Sequence, residues 1–382
     1  MKIVYCLNSI RYLGGVQRVT IVKANALAAI PGNKLYIIVT DNKNGVSMGK
    51  LDPKIKLIDL DVNYYEDDWK SKYHVIKGIV SKRKEHRKKM KRVLTKIQPD
   101  IVISVGQSEK NFIPRIKGPW KTIREFHFVA DYRKRAAHSA FQKILAWGGS
   151  YFEKNFTLKR YDQIVTLTQE DKALNWKGWT NVKVIPNPTS FISEKVTTFK
   201  NSIVVSTGRL NSQKNYRDLI DAFSIVAKKH SKWSLEIYGE GEEKQILEEH
   251  IKSIKLEKNI MLKGYSNDIH KHLLQSSIVA YSSIFEGFPL AFIEAMECGV
   301  PIVAYACPCG PQDIISNRED GFLVAMGNKQ MLADKICELI EDPLLLRRMG
   351  NEAKKKASNY HAAKIAKQWM DLFLWLLEQK TD

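Results

Sequence analysis

Hydrophobic residues recur along this chain in short runs that alternate with segments of helical spacing. In the first half, a glycine turn at Gly14–Gly15 leads into an apolar-periodic helix from Val16 to Ala29. Short apolar runs followed by helices are typical of a parallel α/β sheet that is covered on both faces. We therefore predict strands in the first half at residues 2–8, 35–40, 55–60, 100–105, 121–126 and 163–168.

The pattern stops at VKVIPNP (182–188), where two prolines flank Asn187 and predict an interdomain linker, and then begins again. A helix with apolar spacing of three and four is predicted over 216–230. Further strands are predicted at 202–210, 234–241, 259–265, 277–283 and 301–306.

Two successive α/β patterns predict two Rossmann-like, doubly wound domains, over residues 1–187 and 188–361. We expect them to face each other across a ligand-binding cleft, because ligands of open α/β sheets lie beyond the carboxyl ends of the strands. The amphipathic segment 362–380 is expected to form a helix that packs back on the first domain, although it could instead lie on a membrane surface.

Length and composition agree with two folded domains. The chain has 382 residues, of which 44% are hydrophobic, which suits two cores. We expect no signal peptide and no transmembrane helix. The five cysteines are scattered, which favours reduced thiols in a cytoplasmic protein over a disulfide framework. Cys307 and Cys309 lack the second pair of ligands that a zinc site needs, so no metal is expected there.

Charge is distributed unevenly. The net charge is +20; residues 1–190 contain 36 basic and 16 acidic residues, and the remainder contains 25 of each. Twelve Lys or Arg and one acid, Glu85, lie within 70–96, and the basic run 133–135 adds to them. We predict that this block meets an anionic membrane surface or acceptor through Lys82, Arg83, Lys84, Arg87, Lys88, Lys89, Lys91 and Arg92.

Two alternatives to a membrane or acceptor contact remain for the basic block. It could be an ordinary solvated helix face, or it could bind nucleic acid. Its only aromatic residue is Tyr73, and no RNA- or DNA-binding signature is present, so nucleic acid is not an expected partner.

The second half contains a candidate site for a diphosphate in GRLNSQKN (208–215). There a predicted strand ends in a glycine turn that carries Arg209 and Lys214, just before a predicted helix. Helix N-termini and paired cations bind phosphates well, although two such residues also suit a solvated surface. Gly239 and Gly241 lack the third glycine of a phosphate-binding loop and precede several acids, so we predict a tight turn there.

A second candidate is FEGFPLAFIEAM (285–296), where Glu286 precedes a helix expected to begin near Leu290 and Glu294 lies about one turn inside it. Buried carboxylates need hydrogen-bond donors, and the hydroxyls of a sugar or ribose supply them in pairs. A helix-capping role for Glu286 is the alternative.

Glu286 and Glu294 resemble the E-x7-E motif of the retaining GT-B glycosyltransferases, in particular glycosyltransferase family 4. LGGVQRV (13–19), GRL with the following lysine, IYGEGEE (237–243), MLKGY (261–265) and the last helix occur in that family's order, so the resemblance covers nearly the whole chain. It implies a nucleotide-sugar donor bound by Gly14, Gly15, Arg209, Lys214, Tyr265, Glu286, Gly287, Phe288, Leu290 and Glu294.

The resemblance also implies individual roles. Arg209 and Lys214 would neutralise the donor diphosphate, Glu294 would accept hydrogen bonds from the ribose, and Glu286 would hold the transferred sugar. His127 resembles a histidine that touches the donor sugar, although it could be an ordinary core histidine, and Glu125 could share its role. This chain has Pro289 directly after Phe288, where many members of the family have Gly-Leu-Pro.

The resemblance therefore implies an enzyme that transfers a hexose or N-acetylhexosamine from a nucleotide-sugar, with UDP favoured over GDP. The acceptor is expected to be an anionic or lipid-linked glycan at the inner face of the plasma membrane, in cell-surface polysaccharide synthesis. Cations and helix dipoles are expected to stabilise the leaving diphosphate without a metal. A soluble acceptor and a GT-B-like phosphorylase or epimerase are alternatives.

Overall fold

A computed structural model describes residues 1–10, 14–42, 50–64, 72–131 and 139–379 of the chain. It contains two compact units. The first comprises Met1–Leu167, Asp171–Pro188 and Ala362–Asp382, and the second comprises Thr168–Glu170 and Thr189–His361. Each contains one all-parallel sheet with helices, so the prediction of two Rossmann-like α/β domains is confirmed. The cleft between them stays a prediction.

The first unit is built on a seven-stranded sheet with the order β3-β2-β1-β4-β5-β6-β7. The central strand β1 pairs in parallel with both β2 and β4, and its residues are buried from Ile3 to Leu7. The strands are β1 Lys2–Leu7, β2 Lys34–Val39, β3 Lys56–Asp59, β4 Ile101–Ser104, β5 Lys121–Glu125, β6 Gln163–Thr166 and β7 Val182–Val184.

Strand β7 corrects one expectation. Residues 182–188 are predicted as a linker, but the first three form an edge strand that pairs with β6, and only the Pro-containing remainder leads into the second unit. Proline lacks a backbone N–H and so ends the strand early. The strand is therefore too short to give an alternating pattern.

Helices of the first unit follow the strands in sequence. They are α1 Gly15–Ala28, α2 Lys72–Ile97 and α3 Ala140–Phe152, and α3 continues into a π-helical turn, Glu153–Thr157. The next helix, α4 Gln169–Asn175, begins in the second unit and ends in the first. The last helix, α12 Ala362–Glu378, packs on α1.

Helix α12 buries its apolar face in the core that also contains α1 and β1. Ile365, Trp369 and Phe373 are fully buried there, beside Leu27 of α1. This face is therefore not available to a membrane. Among the residues that the structure describes, we find no helix with the length and apolar character that a membrane span requires.

The second unit contains a six-stranded parallel sheet with the order β10-β9-β8-β11-β12-β13. Its strands are β8 Ile203–Thr207, β9 Ser234–Tyr238, β10 Ile260–Gly264, β11 Ile278–Tyr281, β12 Ile302–Tyr305 and β13 Gly321–Val324. Its helices are α5 Tyr216–Lys229, α6 Lys244–Ser253, α7 Ile269–Leu274, α8 Leu290–Glu297, α9 Pro311–Ile314, α10 Lys329–Glu341 and α11 Pro343–Ala357. The strand order reverses between β8 and β11. Ligands of such sheets bind at the carboxyl ends of the strands at this point.

Candidate active site

The candidate donor site lies at the carboxyl ends of β8 and β11, in the second unit. The loop after β8 is held by the loop after β11: the Ile284 N–H donates to the Gln213 carbonyl at 2.9 Å. The Ser282 hydroxyl donates to the Asn215 carbonyl at 2.7 Å, and the Gln213 side chain donates to the Phe285 carbonyl at 3.0 Å. These bonds hold the two predicted motifs, GRLNSQKN and FEGFPLAFIEAM, side by side.

Lys214 and Glu286 meet in this layer. The Lys214 Nζ donates to Glu286 Oε1 at 2.6 Å, and the two side chains are only 17% and 7% exposed. The ammonium also lies 5.9 Å from the centre of the Tyr281 ring. The structure therefore brings together the cation predicted for the diphosphate and the carboxylate predicted for the sugar.

Arg209 lies on the same turn but is exposed to solvent. Among the described residues its guanidinium has no ion-pair partner, so it is not part of the Lys214–Glu286 pair. Its backbone carbonyl accepts from the Asn211 N–H at 3.0 Å, which keeps the turn tight. The structure leaves this side chain available at the rim of the site.

Glu286 does not cap helix α8. The N-cap residue is Pro289, which makes no side-chain cap hydrogen bond, and the Glu286 carboxylate instead accepts from Lys214. The capping alternative for Glu286 is therefore wrong. Gly287 is half-buried, and Phe288 packs against Tyr360 with ring centres 5.8 Å apart. This packing fixes the turn that connects Glu286 to the start of α8 at Leu290.

Glu294 lies inside α8 and is 6% exposed. Its Oε1 accepts a hydrogen bond from the Ser190 hydroxyl at 2.5 Å, a contact across 104 positions of sequence that the motif does not reveal. The next acid on the helix, Glu297, differs in its surroundings: Lys354 and His361 contact its two oxygens at 2.8 and 2.7 Å. Glu297 thus has a structural role that sequence spacing alone does not distinguish from that of Glu294.

The loop after β12 supports Glu286 from the other side, and sequence reasoning did not assign it to the site. The Glu286 N–H donates to the Pro308 carbonyl at 3.3 Å. At Gly310, φ is +105°, and a Cβ would lie 2.7 Å from Pro289 Cδ. Cys307 and Cys309 are buried in this loop. The Gly-Pro pair after a predicted strand was the available signal.

The GEG segment is a tight turn, as predicted. Gly239 and Gly241 lie so close to the backbone of the Gly208 turn that a Cβ on either would overlap the carbonyl oxygens of Gly208 and Leu210. The Gly208 N–H donates to the Tyr238 carbonyl at 2.9 Å, which joins the ends of β8 and β9. Tyr265 follows the end of β10 and is 74% exposed.

The first unit contains a pocket of about 430 Å³ at the carboxyl ends of β1, β4 and β5. Gly14 and Gly15, at the start of α1, line one part of it. His127, which follows β5, lines another. The structure therefore brings the predicted glycine loop and the predicted histidine to one pocket.

His127 is almost completely enclosed, with a side chain that is 4% exposed. Its Nε2 lies 3.3 Å from Glu125 Oε1, but neither ring nitrogen makes a hydrogen bond among the described residues. Burial, together with the cations Lys23 and Arg124, holds the pKa of His127 well below its ordinary range. The imidazole is therefore neutral at pH 7.

Glu125 has a partner that the sequence did not identify. Its Oε1 accepts from the ammonium of Lys23 on α1, and both side chains are at most 1% exposed. Glu125 therefore holds Lys23 close to His127. The available signal was a lysine within the apolar-periodic helix predicted over Val16–Ala29.

The predicted basic block forms helix α2. Lys82 and Lys89 have structural roles: Lys82 donates to the Asn63 carbonyl, and Lys89 donates to the Leu60 carbonyl at 2.8 Å. Six of the eight named cations are exposed and line no part of the first-unit pocket: Arg83, Lys84, Arg87, Lys88, Lys91 and Arg92. The basic run 133–135 lies outside the described residues.

One cluster of potential metal ligands occurs among the residues that the structure describes: His230, Cys337 and Glu341. His230 follows the end of α5, whereas Lys214 lies at its start. Fourteen helical residues span roughly 20 Å, so a cation at that cluster could not touch a ligand at Lys214.

Two Rossmann-like units with these loops are the fold of the GT-B glycosyltransferases. Residues 190–356 match the family model of the glycosyl transferases group 1. This chain therefore carries a group 1 domain and is a glycosyltransferase, which confirms the predicted enzyme class.

Individual proteins show the same relationship. An uncharacterized glycosyltransferase of Haemophilus influenzae is 28% identical over 96% of this chain and 98% of its own. The N-acetylgalactosamine-N,N'-diacetylbacillosaminyl-diphospho-undecaprenol 4-alpha-N-acetylgalactosaminyltransferase of Campylobacter jejuni is 30% identical over 46% of this chain and 47% of its own. A Staphylococcus aureus TarM variant, solved with fondaparinux, alpha-GlcNAc-glycerol and UDP, has a TM-score of 0.75 and 17% identity over 97% of this chain and 99% of its own.

Proposed function

We propose that this protein is a retaining glycosyltransferase of family 4 that transfers a hexose or N-acetylhexosamine from a UDP-sugar. Its acceptor is an anionic or lipid-linked glycan at the cytoplasmic face of a membrane, in cell-surface polysaccharide synthesis. The observation that carries the proposal is the enclosed Lys214–Glu286 pair, 2.6 Å long, at the edge of the sheet where strand order reverses.

Lys214 suits a departing diphosphate. An ammonium has three N–H donors, and Glu286 occupies one of them at its Oε1, so phosphate oxygens can share the same cation. The exposed guanidinium of Arg209 on the same turn adds a planar, bidentate donor. Fixed cations that face a developing anion stabilise the transition state without rearrangement. We therefore propose that the diphosphate leaves without the help of a metal ion.

Glu286 and Glu294 suit hydroxyl groups. A carboxylate accepts hydrogen bonds from hydroxyl groups, as Glu294 does from Ser190, and is proposed to do so from the hydroxyls of a ribose. Glu286, with the backbone N–H groups of Gly287, Phe288 and Leu290 at the uncapped start of α8, is proposed to hold the sugar. The UDP in the TarM structure supports a uridine donor, with Tyr265 beside the base.

The pocket of the first unit is proposed to receive the acceptor. Its wall contains polar and charged side chains, among them Gln107, Lys110 and Lys154, which suit the hydroxyl groups of a glycan. His127 is proposed to contact the transferred sugar through its unpartnered ring nitrogens, and Gly14 and Gly15 to admit the distal phosphate of the donor. The diphospho-undecaprenol acceptor in the name of the Campylobacter relative and the fondaparinux bound by the TarM variant support this choice of acceptor.

The test compares two ion pairs of the same unit. Lys214→Met removes the cation at Glu286, and Lys354→Met removes the cation at Glu297, which lies at a similar distance of 2.8 Å. We expect UDP to raise the melting temperature of the wild type and of Lys354→Met but not of Lys214→Met. The assay uses the UDP-sugar that the wild type hydrolyses fastest. Release of UDP from this donor should fall by about two orders of magnitude or more in Lys214→Met.

Glu286→Gln keeps the shape of the side chain and removes its charge, and it is expected to lower turnover by a similar factor. Near-normal turnover in Lys214→Met or Glu286→Gln would exclude the assigned site. Loss of turnover on EDTA treatment, with recovery on adding Mg²⁺, would exclude the metal-free mechanism.

A further inference from the structure

Helix α3 of the first unit has an unusual surface. It carries five large apolar side chains that are exposed, and a sixth follows in its π-helical turn: Ile144 68%, Leu145 59%, Trp147 61%, Tyr151 58%, Phe152 59% and Phe156 49%. Soluble monomers rarely expose so many contiguous apolar side chains without a binding role. We call these six residues the α3 patch.

The α3 patch is continuous. Trp147 stacks on Tyr151 with ring centres 5.9 Å apart, and Phe152 stacks on Phe156 at 4.8 Å. At 100° per residue, the five residues on α3 itself lie within an arc of roughly 160°. Ala146 and Ser150, which are half-buried, lie on the remaining side, toward the protein. The apolar face therefore points outward.

Charge around the patch is positive. Helix α3 contains one charged residue, Lys143, which is exposed. The acid that follows the helix, Glu153, is paired with Lys110 at 2.7 Å. Lys159 and Arg160, beyond the π-helical turn, are exposed. An anionic partner would therefore meet an apolar face flanked by cations.

We propose, resting on the proposed function, that the α3 patch is the surface by which this enzyme docks on an anionic lipid bilayer. An apolar face with Trp and Tyr, flanked by Lys and Arg, is the composition that inserts into the headgroup region of a membrane. A second copy of the chain fits less well, because pairing two patches would bring Lys143, Lys159 and Arg160 of both copies together.

Helix α3 and the turn after it also line the pocket that is proposed to receive the acceptor. Ser150, Glu153 and Lys154, on the protein side of the same segment, line the pocket that also contains His127. A lipid-linked acceptor could keep its tail in the bilayer beside the patch while its glycan enters the pocket. Docking through α3 therefore favours acceptors anchored in the membrane over soluble ones.

The experiment measures co-sedimentation of the full chain with vesicles of phosphatidylglycerol and phosphatidylcholine in equal parts, and with pure phosphatidylcholine. Trp147→Ser/Tyr151→Ser changes the patch, and Ile246→Ser/Leu344→Ser removes from the second unit, as a control, two apolar side chains that are at least as exposed. We expect the bound fraction of the patch variant to fall at least tenfold on mixed vesicles while the control binds as the wild type does. Wild-type binding should be weaker on pure phosphatidylcholine.

Two further measurements distinguish a failure of this inference from a failure of the proposed function. The patch variant should keep its UDP-induced rise in melting temperature and its slow hydrolysis of the donor. A wild type that hydrolyses the donor but ignores the vesicles, or a patch variant that binds them normally, would overturn the docking proposal alone. A wild-type dimer in analytical ultracentrifugation that becomes monomeric in the patch variant would also overturn it and assign the patch to a second copy.

Discussion

The first unit is expected to be especially sensitive to the loss of one partner of the buried ion pair between Lys23 and Glu125. Both side chains are at most 1% exposed, and the pair joins α1 to the end of β5. The Lys23 ammonium also lies 5.2 Å from the centre of the Trp369 ring on α12. The pair therefore connects three elements beneath His127.

The perturbation is Lys23→Met, which keeps the length of the side chain and removes its charge. Removing one partner of a buried pair leaves the other charge without compensation and costs about 3–5 kcal/mol. The first unit contains about 200 residues, for which 1 kcal/mol corresponds to roughly 2–4 °C. The melting temperature of this unit should therefore fall by about 6–20 °C.

The control is the double variant Lys23→Met/Glu125→Leu, in which no charge remains buried. Replacing both partners by apolar side chains is often neutral or stabilising, so most of the lost stability should return. Calorimetry measures the transitions, and hydrogen exchange of α1 and β5 assigns one of them to the first unit, because a chain with two units need not unfold in one step. A single variant within about 1 kcal/mol of the wild type, or a double variant as unstable as the single, would refute the reasoning.

Two further predictions concern pH and backbone geometry. Burial lowers the pKa of His86 from 6.5 to about 4, so stability that is present above pH 6.5 should be lost as the pH falls toward 4. The expected loss at pH 5 is about 2 kcal/mol. The urea midpoint of His86→Leu should therefore depend less on pH than that of the wild type, and an unchanged pH profile would contradict this. Gly239→Ala, where a Cβ would overlap the Gly208 carbonyl, should abolish the UDP-induced thermal shift. Gly327→Ala, at φ +81° with open space around it, should keep the shift at a cost of about 1–2 kcal/mol, and equal behaviour of the two variants would be evidence against the role of close backbone packing.

Most of the fold could be predicted because its signals are local. Apolar runs bounded by Gly and Pro predict strands, and the helix expected over 216–230 is observed at Tyr216–Lys229. The strand Gly321–Val324 was not predicted, since it has four residues and no alternation. Strand β7 was assigned to a linker for a similar reason. Short edge strands depend on their neighbours more than on their own sequence.

The site could be predicted only in part, because its supporting contacts are distant in sequence. The turn with Lys214 and the motif with Glu286 each have a local pattern, so their meeting could be expected from the order of the strands. Lys23 and Glu125 are separated by 102 positions, and Ser190 and Glu294 by 104. A local pattern can single out one of these residues, as it does Lys23, but it does not identify the partner. The α3 patch could not be predicted for another reason. The sequence of an apolar helical face does not indicate whether another part of the protein covers it.

The Lys214–Glu286 pair explains why this site needs both motifs. A lysine that is 17% exposed, without a partner, would lose much of its hydration and would have no fixed position. Glu286 accepts a hydrogen bond from the Lys214 ammonium and fixes its position, with 2.6 Å between Nζ and Oε1. A diphosphate that binds there shares a cation that is already oriented, so little of the binding energy is lost in ordering the site. The carboxylate that prepares Lys214 for the leaving group is thus the same group that is proposed to hold the sugar, which couples recognition of the two halves of the donor.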